Sequence, residues 1–312
     1  MKNKINIIVA LLCMSIVVIT KGQTSAVKDT SWKSGGLTAL NFNQVNLSHW
    51  AAGGDDAISG AAFLRLFANY NKDKISWNNQ LDLAYGMTKT GITRIQKNED
   101  KIEFNSKLGR KLGSSNFFST VLVNFKTQFA KGYTSVTDTI PVSKFMSPAY
   151  LLYSLGFDFK PSEHFSFYLS PATGKTVLIN NQDIADAGTY GNEKMTIDSN
   201  GNVVHGKKTF TQAGAYFRAT YKQEIITNIN LQTKLELFSN YIKNPQNISE
   251  NWEVLLNMKV NKLVSVNIQT QMIYDDIIAV PIVKEVNNVS VTTTGPRLQF
   301  KEVLGLGLAY KF

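Results

Sequence analysis

One cysteine stands in the 312 residues, Cys13, and it lies inside an apolar stretch near the N-terminus. The rest of the chain has no thiol, which excludes a disulfide framework, a cysteine metal site and a thiol nucleophile. Long apolar runs are equally scarce. The only one, Ile5 to Thr20, is shorter than the ~20 residues that a spanning helix needs. Blocks of like charge are missing too. Lys and Arg are scattered at strand spacing, which argues against a nucleic-acid partner despite a formal net charge of +10. No Pro/Gly/Ser-rich linker and no internal repeat divides the chain, so one folded domain is expected.

What is present begins with Lys2 and Lys4, then the apolar run, then Lys21, Gly22 and Gln23. This is the layout of a secretory signal. Residues 1–22 are read as a signal peptide, 23–36 as a periplasmic N-terminal segment and 37–312 as the folded domain. Leu12 before Cys13, and the apolar residues after it, argue against acylation of that thiol. Removing Lys2, Lys4 and Lys21 lowers the net charge from +10 to +7. That residue of positive charge suits a solvated interior and contacts with lipid and lipopolysaccharide headgroups.

A hydrophobic content of 43% resembles that of a soluble protein, and so does the mean hydropathy of −0.12. The arrangement does not. Ile75, Trp77, Leu81, Leu83, Tyr85 and Met87 alternate with Ser76, Asn78, Gln80, Asp82, Ala84 and Gly86. Ile229, Leu231, Leu235, Leu237 and Tyr241 alternate in the same way with Asn228, Asn230, Gln232, Lys234, Glu236 and Asn240. Shifting either segment by one residue would carry its charges to the apolar face, so each pattern fixes its own facing. About twelve such segments recur, separated by turn chemistry.

A soluble β-sandwich also alternates. Two features point instead to an all-β transmembrane antiparallel β-barrel of about 12 strands, with 10 or 14 compatible. Aromatics fall near segment ends, at Trp77, Tyr85, Tyr153, Tyr221, Tyr241, Trp252, Tyr274 and Tyr310, as in interfacial girdles. Connections alternate between tight ones, such as residues 71–74, 113–116 and 160–164, and long ones, such as 49–57, 89–98, 132–146, 174–206 and 275–296. Short periplasmic turns and long extracellular loops produce that rhythm. Asn200-Gly201 forms a hairpin turn within the longest loop. The location expected is the outer membrane of a Gram-negative cell.

The words Leu40-Asn41-Phe42-Asn43-Gln44-Val45 and Asn46-Leu47-Ser48-His49-Trp50-Ala51-Ala52-Gly53-Gly54 resemble the opening of the domain-of-unknown-function 3078 family of outer-membrane barrels. The segments Trp77 to Gly86, Lys126 to Tyr133, Leu169 to Lys175 and Glu236 to Asn240 continue the resemblance along most of the chain. The family carries no agreed activity, so the resemblance implies fold and location and no catalytic residue. The closing Gly305 to Phe312, with Leu306, Leu308, Tyr310 and Phe312 on one face, resembles the terminal-strand signal read by the barrel-assembly machinery. That resemblance implies the machinery as a partner.

A search for chemistry finds three histidines, His49, His164 and His205. His49 follows Ser48 and precedes Asp55 and Asp56 across Gly53-Gly54. Adjacent residues of an extended strand point to opposite faces, so Ser48 and His49 do not form a nucleophile and base pair. Trp50 is expected to anchor this loop, with the glycines permitting its bend. Asp55-Asp56 and Asp275-Asp276 supply too few oxygens for a calcium site, and Asp198 to Asn202 lacks the distal Glu of a calcium loop. Gly174-Lys175-Thr176 lacks the upstream glycine of a phosphate loop. No catalytic residue, metal or cofactor is expected.

The informative set is the inward-facing charge: Arg65, Asp82, Glu103, Lys107, Lys126, Asp158, Arg218, Lys222, Lys234, Glu236, Glu253 and Lys259. In a small barrel such groups pair and fill the interior; in a wide one they line water. The expectation is a narrow pore or transport-type channel for small polar solutes. The alternatives are a closed barrel that works through its extracellular loops and, behind both, an outer-membrane enzyme.

Overall fold

The computed structural model describes residues 31–46, 55–135, 137–261, 263–278, 280–286 and 289–312. The alternating segments become the strands β1 (Trp32–Val45), β2 (Ala57–Lys72), β3 (Ile75–Thr90), β4 (Gln96–Lys111), β5 (Phe117–Thr127), β6 (Ala149–Phe159) and β7 (Phe165–Leu178). After them come the helix α1 (Gln182–Ala187) and the strands β8 (Thr196–Ile197), β9 (Val203–Val204), β10 (Thr209–Ile226), β11 (Ile229–Asn240) and β12 (Ile248–Lys259). The chain continues with β13 (Val264–Tyr274), β14 (Val280–Val286), β15 (Val289–Gly295) and β16 (Gln299–Lys311).

Twelve of these strands close an antiparallel barrel in the order β1-β16-β13-β12-β11-β10-β7-β6-β5-β4-β3-β2. The expected count of about twelve holds, and the 10- and 14-strand alternatives fall. The two remaining strand pairs, β8-β9 and β14-β15, are separate hairpins in the connections. Closure removes every sheet edge and pairs the backbone groups that hydrocarbon could not solvate. At the seam the register runs from Leu37 opposite Lys311 to Asn41 opposite Gly307. It is extended by Phe312 N–H donating to Gly36 O at 3.0 Å and Gly36 N–H donating to Phe312 O at 2.9 Å. The first strand therefore begins at Trp32, ahead of the expected boundary at residue 37. Gly35 and Gly36 fall in the expected periplasmic N-terminal segment, but a Cβ at Gly36 would run into the Phe312 ring, so glycine here permits close approach of the closing strand.

The outward face is apolar. Leu304, Leu306, Leu308, Tyr310 and Phe312 are all more than half exposed, as are Leu155 and Leu169. A contiguous apolar surface of this kind is stable only in a non-aqueous surrounding. Aromatics ring the short-turn end. Trp32 lies 5.2 Å from Tyr70 and 5.9 Å from Trp77, Phe117 stacks on Phe159 at 4.5 Å, and Phe165 meets Tyr221 at 4.5 Å. Trp252 departs from the girdle pattern, lying in the interior of β12. Its indole N–H donates to Thr233 Oγ1 of the neighbouring strand at 2.8 Å, which satisfies a donor that lipid would leave bare.

The short connections β2-β3, β4-β5, β6-β7, β10-β11 and β12-β13 share one end of the barrel with the outer ends of β1 and β16. The opposite end carries the longer connections, with one correction. The expected long loop over 89–98 shrinks to five residues, because β3 runs to Thr90 and β4 starts at Gln96. Gln96 to Asn98 fall in the expected loop, yet tertiary partners hold the polar run from Gln96 to Lys101 in strand. Lys97 pairs with Asp100 at 2.8 Å and donates to Gln128 Oε1 and Ala130 O, while the Asp100 carboxylate accepts from Phe129 N and Ala130 N. The expected 174–206 loop likewise starts later, after Leu178. Pro171 is tolerated in β7 because the register breaks there opposite Gly156, and Ser170 Oγ donates to the freed Leu155 O at 2.7 Å.

Candidate functional site

Residues that oppose one another across an antiparallel ladder share a face. The registers Arg65 to Asp82, Asp82 to Glu103 and Glu103 to Lys126 therefore carry one inward row across β2 to β5. The registers Arg218 to Glu236 and Lys234 to Glu253 carry another across β10 to β12. The two rows meet across the lumen. Lys234 Nζ lies 3.3 Å from Glu236, 3.2 Å from Glu253 and 3.6 Å from Glu103 on the facing wall, and Lys101 holds the other oxygen of Glu103 at 2.6 Å. Arg218 pairs with Glu236 at 2.6 Å and reaches Asn105 of β4 at 3.4 Å, with the Tyr216 hydroxyl donating to the same carboxylate. Arg65 pairs with Asp82 at 2.5 Å and donates to Gln232 of β11 at 3.0 Å.

β4 and β2 each stand five steps from β11 in the ring of twelve, so these contacts cross the barrel and do not run along one wall. Glu103 is only 3% exposed. Charges this buried are stable only when paired and hydrogen-bonded, and here each carboxylate has at least one cation against it. The result is a transverse layer of alternating sign near mid-height.

Both sides of that layer are occupied. Towards the short turns, Lys107 pairs with Asp158 at 2.9 Å and donates to Ser166 of β7 at 3.0 Å. Beside that pair, Leu122 opposite Lys107 and Tyr168 opposite Asp158 form a buried cluster with Tyr216 and Phe238 that reaches towards the loops at Phe238, with Leu152 packed against it. Above that cluster, Lys175 bridges to Asp275 at 2.7 Å.

The β7-β10 connection folds onto this end. Ile184 and Ala185 of α1 pack with Val177 and Ile179 and against Tyr150, Tyr190 and Phe210. Asn181 caps the helix by accepting from Ile184 N at 3.1 Å. Tyr190 donates to Val142 O at 3.0 Å, and burial pushes its hydroxyl up to about 12. His205 Nδ1 sits 2.9 Å from Asp186, whose carboxyl is held below its ordinary range chiefly by the Gln182 side chain. The Asn200-Gly201 hairpin forms as expected, but as a five-residue loop between β8 and β9 in which Asp198 accepts from Asn200 N and Asn202 N.

Among the other expected residues, Lys222 lies opposite Gln232 and Lys259 opposite Ser265, both inward near the short-turn end. Leu306, Leu308, Tyr310 and Phe312 face outward. Asp55 and Asp56 are exposed, and Asp56 O accepts from Gly91 N at 2.7 Å. His49, Trp50, Gly53 and Gly54 lie outside the described residues. His164 Nδ1 rests 3.1 Å from Lys222 O in its turn. No cluster of three or more His, Cys, Asp or Glu positioned to hold a metal occurs among the described residues.

Sequence reasoning missed Lys101, Asn105, Tyr216, Gln232 and the loop-end pair Lys301 and Glu99, whose charged groups touch across the lumen. Parity alone could have placed most of them, since Lys101 shares its face with Glu103, Tyr216 with Arg218, Gln232 with Lys234, and Lys301 with Gly305 and Gly307. The partners on the facing wall could not be read that way.

Solved structures similar to this chain are barrels. An outer membrane channel from Pseudomonas putida F1 shares 13% identity over 95% of this chain and 100% of its own, with a TM-score of 0.39. The translocator domain of the autotransporter NalP from Neisseria meningitidis shares 5% over 92% and 90%, with a TM-score of 0.38. The outer membrane phospholipase A from Escherichia coli shares 11% over 92% and 94%, with a TM-score of 0.36. At these values nothing of the neighbours' activities transfers. No curated protein matches the chain. Residues 42–133, from β1 into the β5-β6 connection, match the model of the family described as Protein of unknown function (DUF3078), the family that the Leu40 to Gly54 and Trp77 to Gly86 words resemble.

Proposed function

We propose that this chain is an outer-membrane barrel whose lumen is closed to solutes by its transverse ion-pair layer, and that its interactions are made at the loop end. The observation that carries this reading is the bridge from Glu103 on β4 to Lys234 on β11, flanked by Lys101, Glu236 and Glu253. A salt-bridged layer in low dielectric resists opening, because separating one pair leaves buried charges without compensation. The packed cover of Ile184, Ala185, Ile179 and Val177 supports the same reading at the mouth. Export by residues 1–22, periplasmic placement of the short turns and insertion by the barrel-assembly machinery are part of the proposal. The mass of the chain extracted from membranes tests the first of these: cleavage near Gly22 or Gln23 removes the only thiol.

Planar-bilayer recording of the refolded chain tests the closure. We expect no long-lived current steps from the native protein and steps from Lys234→Ala/Glu103→Ala. Regular steps from the native protein would favour the narrow pore. That second reading has its own support in the inner wall of β12 and β13, where the uncharged amides Asn251, Asn257, Asn267, Gln269 and Gln271 are half-buried, a lining suited to small polar solutes.

A further inference from the structure

The short-turn end of the barrel holds a cavity of about 340 Å³ between the β2-β3 turn, the end of β4 and the start of the β6-β7 turn. This is within the ~300–1,000 Å³ range of small-molecule sites. Four lysines line it, Lys72, Lys74, Lys111 and Lys160, against a single carboxylate, Asp73. Their backbone is fixed: Lys111 N–H donates to Lys74 O at 2.7 Å and Lys160 N–H to Asn116 O at 3.0 Å.

The four ammonium groups are not equivalent. Lys160 Nζ is oriented by Ser76 Oγ at 3.3 Å, Asp158 at 3.6 Å and the Phe118 ring at 4.6 Å. Lys72, Lys74 and Lys111 have no ion-pair partner among the described residues. This separates the cavity from the mid-height layer, where every carboxylate is matched. Further inward-facing cations, Lys33, Lys222, Lys259 and Lys311, stand around the same end and add to its positive potential.

We propose that this cavity binds phosphate-bearing anions, with Lys72, Lys74 and Lys111 as free charged contacts and Lys160 as the preset one. Several unpaired ammonium groups around one concave space suit a compact group with several anionic oxygens. The phosphate can belong to a soluble ester or to a lipid headgroup at the membrane edge. Ser76 and Phe118 line the cavity from the inward face, which favours the soluble source.

The test is calorimetric titration of the refolded full chain, in zwitterionic detergent at low salt, with pyrophosphate. Saturable binding is expected, weakened at least tenfold in Lys74→Gln/Lys111→Gln and unchanged in Lys89→Gln/Lys131→Gln, which removes the same charge at the loop end. Folding of each variant is verified by heat-modifiable migration. Repeating the titration in mixed micelles containing phosphatidylglycerol separates the sources. Retained pyrophosphate binding assigns the soluble ester, and displacement by lipid assigns the headgroup. No saturable binding of either probe, or equal weakening in both double variants, overturns the site.

Discussion

Lys234 is the residue on which the interior charge turns, since among the described residues it alone lies within 4 Å of Glu103, Glu236 and Glu253. Replacing it by Met preserves bulk and removes the charge, leaving three carboxylates crowded around an apolar side chain. Breaking a buried pair on one side costs about 3–5 kcal/mol. Urea unfolding of Lys234→Met in lipid vesicles should show a loss of that order, while exposed Lys89→Met should change little. Asp198 gives a residue-level pH prediction. Its carboxyl is held below the ordinary range chiefly by the Asn202 backbone N–H and side chain. A lowered carboxyl pKa means that the folded loop gains order above the ordinary carboxylate value and loses it as pH falls through the lowered one. The protection of the Asn200 and Asn202 amides, the intrinsic exchange rate at each pH relative to the observed one, should therefore fall in acid, and Asp198→Ala should show the low protection at every pH.

At the scale of the element, period-2 alternation made the barrel strands legible, because lipid outside and polar chains inside impose opposite demands on successive residues. Leu83, in the middle of β3, faces outward opposite Leu64 and Ile102. Leu83→Arg should destabilise the barrel by about 2–4 kcal/mol, the cost of a cation on the lipid face near the midplane, read by refolding titration. The inward neighbour Asp82 should instead respond through loss of its Arg65 partner. Gly174 in β7 tests a different constraint. A Cβ there would collide with the Tyr153 ring of β6, so Gly174→Val should slow barrel folding while Thr176→Val, two residues on, is tolerated. The strand ends were less legible. Gln96 to Lys101 carries loop composition, and it is held extended by its ladder with β3 together with partners in the β5-β6 connection, Gln128 and the 129–130 backbone.

For the whole molecule, the proposed closure makes the ion-pair layer and the loop cover two barriers in series. Replacing residues 182–205 by a short Gly/Ser linker removes the cover and leaves Lys234, Glu103 and their neighbours in place. Conductance of that variant should stay at the native level, and adding Lys234→Ala/Glu103→Ala to it should give larger currents than the layer variant alone. Equal conductance from the layer variant with and without the cover would show that the loop contributes nothing to closure. The inward facing of Arg65, Asp82, Glu103, Lys107 and Lys234 follows from parity and was open to reading before any fold was known. Whether those charges line water or meet each other depends on barrel width and on register around the ring.

By itself, the sequence determined an antiparallel barrel of about twelve strands, which side chains face inward and which end carries the longer connections, while the choice of twelve over 10 or 14 came from the closed ring. Each of these is a local consequence of alternation and turn chemistry. The tertiary structure alone decided that β4 and β2 stand across from β11, that Lys234 reaches Glu103 over the lumen, that α1 folds onto the mouth and that four lysines from three separate connections share one cavity. Those facts depend on contacts between separate strands and connections, including one across the 131 positions between Glu103 and Lys234, and no pattern within a single strand encodes such a distance.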